Sequence, residues 1–365
     1  MCLYKSSLVI MDILAKIKKA NLVGCGGANF LVAKKWQAVY QAISDKKYII
    51  CNAAEGEPGV TKDGYIIETY AEKLINGIKI AIDFLFSNKL NNNFQVKAFL
   101  YINNEYYKKY GEKLNQLISD LPIKIFIKPH NAGYIGGEEG SLLNTIDGSR
   151  IEPRLRPPFP ATNGLWNCPT LINNVETFYN ISLIASNEYK NLRFYSINGD
   201  CFHNGVYQLP TNFTIQKILQ ETDNFPDFPF FVQVGGNAAG EILNSKQLKK
   251  IVNGIGSIIV FSIEKHQAKQ VIENLLEFFS NESCGQCTPC REGLFRLNEI
   301  IKTEKIDWLL FFELLNNLKE SSFCNLGTSV FVPISSFIKN VLPLIPDTQL
   351  NLSYDLRKAI IKYCK

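Results

Sequence analysis

The chain has 365 residues, 46% of them apolar and 20% charged, with a formal net charge of +5. That length supports two or three domains with a sizeable core, and lysines scattered without a block of like charge argue against nucleic-acid binding. No apolar run reaches the ~18 residues that a spanning helix needs, so direct membrane insertion is not expected.

The N-terminal stretch SSLVIMDILA is short, carries Asp12 and lacks a small-residue cleavage site, which speaks against a secretory signal. Its continuation, MDILAKIKKANL, reads as an amphipathic helix, and Met11 is a candidate start. The loop LVGCGGANF follows, with Gly24, Gly26 and Gly27 placed so that backbone N–H groups can approach a phosphate, or simply turn the chain. KYIICN (Lys47–Asn52) is a compact apolar strand ending in the acidic loop AAEGEPGVTKDG, which holds Glu55 and Glu57. AEKLINGIKIAIDFLF (Ala71–Phe86) repeats apolar residues at a helical period. VKAFLYI (Val96–Ile102) is the next strand; a polar helix through Lys109–Ile118 and the strand IKIFIK (Ile123–Lys128) complete an alternation that implies a parallel sheet covered by helices. YIGGEEGSLL places Gly136 and Gly137, then Glu138 and Glu139, at the start of another helix, where acidic residues are commonplace because of the helix dipole.

The Pro-rich stretch RIEPRLRPPFPATNG cannot be a regular helix, and CPTLINNVET adds the adjacent amides Asn173 and Asn174. After Tyr189 the segments FYSINGDCFHNGVYQLP, TIQKILQE and FFVQVGG read as hairpin, short helix and strand, a small α+β domain. From about His266 the chain is helical. The expected division is therefore 1–190 (α/β), 191–265 (α+β) and 266–365 (helical). His130, His203 and His266 are scattered and form no expected catalytic pair.

Ten cysteines in a long chain without a signal peptide point to metal ligands and buried thiols more than to a disulfide framework. In ESCGQCTPCREG, Cys284, Cys287 and Cys290 have C-x2-C-x2-C spacing between two helices. Such a run wraps one corner of a [4Fe–4S] cluster, whereas zinc sites usually use two separated pairs; zinc and plain buried thiols remain the alternatives. The fourth ligand must come from elsewhere. Cys324, in SSFCNLG after the apolar helix IDWLLFFELLNNL, is the natural candidate; Cys168 lies upstream in another domain and Cys364 at a terminus.

The glycine loop ending in Lys35-Trp36, then CNAAEGEPG, YIGGEEGSLL, PRLRPPFPA, CPTLINNVET and ESCGQCTPCREG occur in one order. That order resembles the NADH-binding flavoprotein (F) subunits of respiratory complex I and the equivalent diaphorase subunits of NAD-linked hydrogenases and formate dehydrogenases. The resemblance covers nearly the whole chain from about Asp12. It implies a Rossmann-like FMN/NADH domain, a small soluble-ligand-binding β-grasp domain and a C-terminal helical bundle carrying a [4Fe–4S] cluster. It implies FMN on Gly24, Gly26, Gly27, Asn52, Glu55, Tyr134, Gly137, Glu138, Asn173, Asn174 and Thr177. NADH, the substrate, would stack on Phe30 and Phe159 and meet Lys35, Glu57 and Glu139, the two carboxylates lying nearest the chemistry. The cluster ligands map onto Cys284, Cys287, Cys290 and Cys324. The implied partners are a thioredoxin-like [2Fe–2S] subunit and a larger iron–sulfur subunit. The implied location is cytoplasmic, peripheral to the inner membrane through the parent complex, or the matrix side if mitochondrial.

The chain departs from the family pattern in its loops. Cys25 stands for an Arg, Asn29 for a Gly, and Leu31-Val32-Ala33 for Pro-Thr-Gly. Ala54 replaces an Asp, Ala38 an adenine-stacking aromatic, Arg156 a Lys and Gly64 an Arg. Two functions follow as expectations: an NADH-oxidising subunit, or a non-catalytic relay or scaffold that keeps only the cluster.

Overall fold

The computed structural model describes residues 12–87, 93–236, 238–345, 350 and 354–363. Met11 and Cys364 lie outside the described residues. The chain divides into two compact units: the first takes in the described residues up to Gly56 together with Thr61–Phe194, and the second Glu57–Val60 and Tyr195 onward. No helix among the described residues is long and apolar enough to cross a membrane.

The first unit runs α1 (12–19), α2 (Val32–Gln41), β1 (Lys46–Ala53), α3 (Lys62–Phe86), β2 (Gln95–Ile102), α4 (Asn104–Ile118), β3 (Ile123–Ile127), α5 (Glu139–Asp147), β4 (Thr170–Asn174) and α6 (Val175–Ala185). The four strands form a parallel sheet in the order β3-β2-β1-β4. β1 is buried along almost its whole length, as an inner parallel strand covered on both faces must be. From β1 the chain passes through α3 to β2 on one side, and it fills the other side only later with β4. That reversal is a topological switch point, where open α/β sheets leave a crevice beyond the strands' carboxyl ends. α5 packs Leu142, Leu143 and Ile146 against Tyr48, Ile50, Ala54, Tyr101 and Ile172. α3 and α6 pack so closely that a methyl group on Gly77 would lie 1.9 Å from the Phe178 carbonyl oxygen, so only glycine fits there.

Two helices start earlier than their periodicity predicts. α3 opens at Lys62, inside the expected acidic loop, because the Glu55 carboxylate accepts from the Asp63 and Gly64 N–H groups. α4 opens at Asn104 rather than near Lys109, because the Asn103 side chain caps it by accepting from Tyr106 N at 2.8 Å.

The second unit contains β5 (Leu192–Gly199, whose first three residues fall in the first unit), β6 (Gly205–Pro210), α7 (Ile215–Glu221), β7 (Phe230–Val234), β8 (Glu241–Asn244) and β9 (Ser257–Ser262). They form a sheet in the order β6-β5-β9-β7-β8, with β5 and β9 parallel and β7 antiparallel to its neighbours. Ile197, Ile218, Leu219, Val232, Leu243 and Val260 are central to its core. The helices α8 (Ala268–Glu282), α9 (Thr288–Lys302), α10 (Trp308–Ser321), α11 (Asn325–Ser329), α12 (Phe331–Asn340) and α13 (Tyr354–Tyr363) follow. Sheet and helices are tied together: Ser336 Oγ accepts from Ile242 N at 2.8 Å, and Asn340 exchanges hydrogen bonds with Ile242 and Asn244. The expected boundary near 265 thus falls inside this unit.

Candidate cofactor crevice and four-cysteine site

The glycine loop is a closed turn. An antiparallel bridge joins Val23 to Leu31, and Gly24 N donates to Phe30 O at 2.9 Å. The turn sits on the end of β4 and the first turn of α6: Cys25 N donates to Thr177 Oγ1 at 3.0 Å, and a methyl on Gly26 would lie 3.2 Å from Asn174 Cβ. Gly27 has a left-handed φ of 108°. Asn29 does too, at 50°, a conformation that asparagine tolerates. Among the described residues, no hydrogen bond of the Gly26 or Gly27 N–H groups is found, which leaves two donors on the tip of the turn.

Asn52 and Asn174 are register partners at the carboxyl ends of β1 and β4. Asn52 Nδ2 donates to Gly137 O at 2.9 Å, fixing the loop after β3, and its Oδ1 accepts from Ala54 N at 3.1 Å. The structure therefore brings the glycine loop, Asn52, Asn174, Gly137 and Thr177 to one edge of the sheet. Ala54 is buried in the apolar cluster under α5. Asn173 is also buried; its amide accepts from the Trp36 indole at 3.0 Å and donates to Ile172 O at 3.1 Å, pinning α2 to β4.

Behind this edge lies a buried charge network that periodicity alone does not reveal. Lys62 Nζ lies 2.5 Å from Asp63 and 3.5 Å from Glu176, all three buried, and Asn174 Nδ2 donates to Asp63 at 2.6 Å. Burial works against the Lys62 ammonium, but Asp63, Glu176 and Glu55 together raise its pKa. Glu55 accepts from Asp63 N and Gly64 N, and from Tyr106 Oη at 2.5 Å. Burial, then the neighbouring Asp63, pushes its carboxyl up to about 8. The Cys25 thiol rises to about 12, first through burial and then through Glu176. The signal that would have exposed this network was Lys62 itself, a cation at a helix N-terminus, which must be held by anions against the dipole.

Glu138 caps α5 by accepting from Gly140 N and Ser141 N at 2.7 and 2.9 Å; burial raises its pKa, and Arg156 at 2.5 Å opposes that rise. Glu139 pairs with Lys35 at 2.6 Å and with Arg156 at 3.6 Å. Lys35 also donates to Ile172 O at 3.1 Å. Phe30 and Phe159 are 51% and 58% exposed, so each offers a bare ring face. Tyr134 starts the turn after β3, with its carbonyl accepting from Gly137 N at 3.0 Å. Glu57 belongs to the second unit, where its carboxylate accepts from Ala238 N at 2.8 Å. Ala38 lies exposed on α2.

The second site is built by α9 and α11. Cys287 is the N-cap of α9, Cys324 is the N-cap of α11, and neither side chain caps its helix by a hydrogen bond. Cys290 lies inside the first turns of α9 rather than between the helices, because Pro289 starts that helix early. Burial pushes the Cys290 thiol up to about 11, with smaller rises from Cys287, Cys324 and Cys284, so all four thiols share one region. No disulfide joins the eight described cysteines. Four cysteines in one region suit the corners of an iron–sulfur cluster. Cys168 lies in the first unit, with its thiol 3.5 Å from Trp166 O.

The matches to known proteins parallel this two-part layout. Residues 17–183 match the family described as the Nuo51 FMN-binding domain. Residues 270–343 match the NADH-ubiquinone oxidoreductase-F iron–sulfur binding region. The F subunit of NADH-quinone oxidoreductase from Aquifex aeolicus is 32% identical over 354 residues, covering 87% of this chain and 81% of the relative. The F subunit from Buchnera aphidicola subsp. Baizongia pistaciae is 32% identical over 371 residues, covering 90% and 83%. A chain of the NAD+-reducing [NiFe]-hydrogenase in the H2-reduced state superposes with a TM-score of 0.82 at 26% identity. That match covers 94% of this chain but 63% of the hydrogenase chain, a little under two thirds of its length. The chain belongs to the family of NADH-quinone oxidoreductase F subunits.

Proposed function

We propose that this chain is the NADH-oxidising (diaphorase) subunit of a multi-subunit complex, taking hydride from NADH and passing electrons to a cluster and onward to iron–sulfur partners. The observation that carries this reading is that one chain holds both a switch-point crevice with a donor-bearing glycine turn and a separate four-cysteine site. FMN, when bound, accepts two electrons as hydride and releases them singly to iron. The Gly24–Gly27 turn would hold its phosphate, since the helix N-termini nearby are already capped from within by Glu55, Glu138 and Asn174. Asn52, Tyr134, Gly137, Asn174 and Thr177 would orient the ring system, with Asn173 fixing the strand end beneath it. Phe30 and Phe159 would stack the nicotinamide dinucleotide, while Lys35, Glu139 and Glu57 would supply polar contacts. Cys284, Cys287, Cys290 and Cys324 would hold the [4Fe–4S] cluster. Residues 191–265 would form the β-grasp module and 266–365 the cluster module.

The finer partners in this reading are a thioredoxin-like [2Fe–2S] subunit and a larger iron–sulfur subunit, on the cytoplasmic face of the inner membrane or the matrix side of a mitochondrion. The test is anaerobic purification with flavin, iron and sulfide quantified together, followed by NADH-dependent ferricyanide reduction. One FMN and four irons per chain with turnover are expected. A full cluster with no flavin uptake from excess FMN would overturn the reading in favour of a relay or scaffold.

A further inference from the structure

Two serine hydroxyls stand at the four-cysteine site. Ser283 Oγ lies 3.3 Å from Cys290 Sγ and itself accepts from Gly285 N at 3.3 Å. That bond uses one of its two lone pairs, and its own proton remains for a further acceptor. A cysteine that binds iron has lost its proton, so in that contact the serine must be the donor and the sulfur the acceptor. Ser322 Oγ is buried and makes no hydrogen bond among the described residues. It flanks the same cysteine: a methyl built on Gly327 would lie 2.3 Å from Ser322 Oγ and 3.3 Å from Cys290 Cβ. A buried hydroxyl without a partner is costly, and an anionic sulfur is the acceptor that this place would supply. Gly327 keeps that space open, since any side chain there would displace the hydroxyl.

We propose that Ser283 and Ser322 are positioning residues that donate hydrogen bonds to the sulfur layer around Cys290 and raise the reduction potential of the cluster. This rests on the cluster reading above. The reduced cluster carries one more electron than the oxidised one, so its sulfurs are better acceptors; a donor therefore favours reduction. The serine keeps its proton throughout, and only one electron moves.

The test is a potentiometric titration of the full chain, purified anaerobically, with dithionite as reductant and the EPR signal as readout. Ser283→Ala and Ser322→Ala should keep iron and sulfide, yet each should shift the reduction equilibrium about tenfold toward the oxidised form, a drop of about 59 mV for one electron. Ser283→Thr and Ser322→Thr, which keep a hydroxyl, should restore it. A full cluster with an unmoved potential in both alanine variants overturns the proposal and leaves the cluster reading standing. A wild-type chain that holds no iron and sulfide overturns both. Should an alanine variant lose its cluster, the wild-type chain decides: its Fe–S stretching bands should shift in D2O, and unshifted bands overturn the proposal.

Discussion

The Tyr106 hydroxyl donates to the Glu55 carboxylate at 2.5 Å, and its ring occupies the space over Gly64, where even a methyl group would come within 2.6 Å of it. A neutral phenol arriving from α4 thus covers the first turn of α3, while burial and then Asp63 raise the Glu55 pKa and Lys62 opposes them.

Tyr106→Phe leaves that carboxylate one donor short and should cost about 1–3 kcal/mol. Gly64→Ala must push the ring aside and should cost a similar amount, about 1–3 kcal/mol. Because both act on one contact, Gly64→Ala with Tyr106→Ala should cost less than the sum of the two single changes. Urea unfolding of the four variants checks this, and strict additivity would contradict it.

Glu55 also sets a pH dependence. Its folded pKa of about 8 lies above the unfolded value of about 4.3, so the folded state holds a proton that the unfolded chain has lost. The resulting stability is fully present below about pH 4.3 and is lost as pH rises through about 8. Glu55→Gln should flatten the fall in unfolding free energy between pH 5 and 8, measured by denaturation across that window.

Removal of Lys62 should be among the most damaging single changes. Lys62→Met leaves Asp63 and Glu176 buried without their cation, a loss of about 3–5 kcal/mol. Thermal unfolding should show a large drop in Tm. A drop no larger than that of an exposed pair such as Lys73–Glu188 would refute the network's role.

Lys35 should behave differently. Its pair with Glu139 is partly exposed, so Lys35→Met should cost under about 1 kcal/mol of stability. If Lys35 and Glu139 contact NADH, KM should rise about tenfold with a smaller change in kcat, which corresponds to about 1.4 kcal/mol of binding. Steady-state kinetics beside a melting curve separates the two effects.

Cys324→Ser should strip or badly perturb the reduced-state EPR signal, because a cluster of four irons needs four thiolates. Cys168→Ser should leave it intact, since Cys168 belongs to the first unit. Iron analysis of the two variants is the check.

The strand–helix alternation of the first half was legible in the chain because it rests on local pattern, apolar runs for inner strands and a period near 3.6 for helices; β4, and with it the reversal of the sheet, was not. The glycine loop and the paired carboxylates were visible as motifs, but their partners were not. Glu55 serves the N-terminus of α3 and Glu138 that of α5, Asn173 answers the Trp36 indole, and the Glu57 carboxylate is engaged by Ala238 N. Tyr106 over Gly64, the Lys62–Glu176 pair and the Ser322 hydroxyl beside Gly327 join residues 42, 114 and 5 positions apart. Hydrogen bonds and ion pairs act over about 3–4 Å between atoms that packing alone brings together. Side-chain pattern along the chain settles which faces are buried; which buried polar group meets which partner is decided only once those faces close.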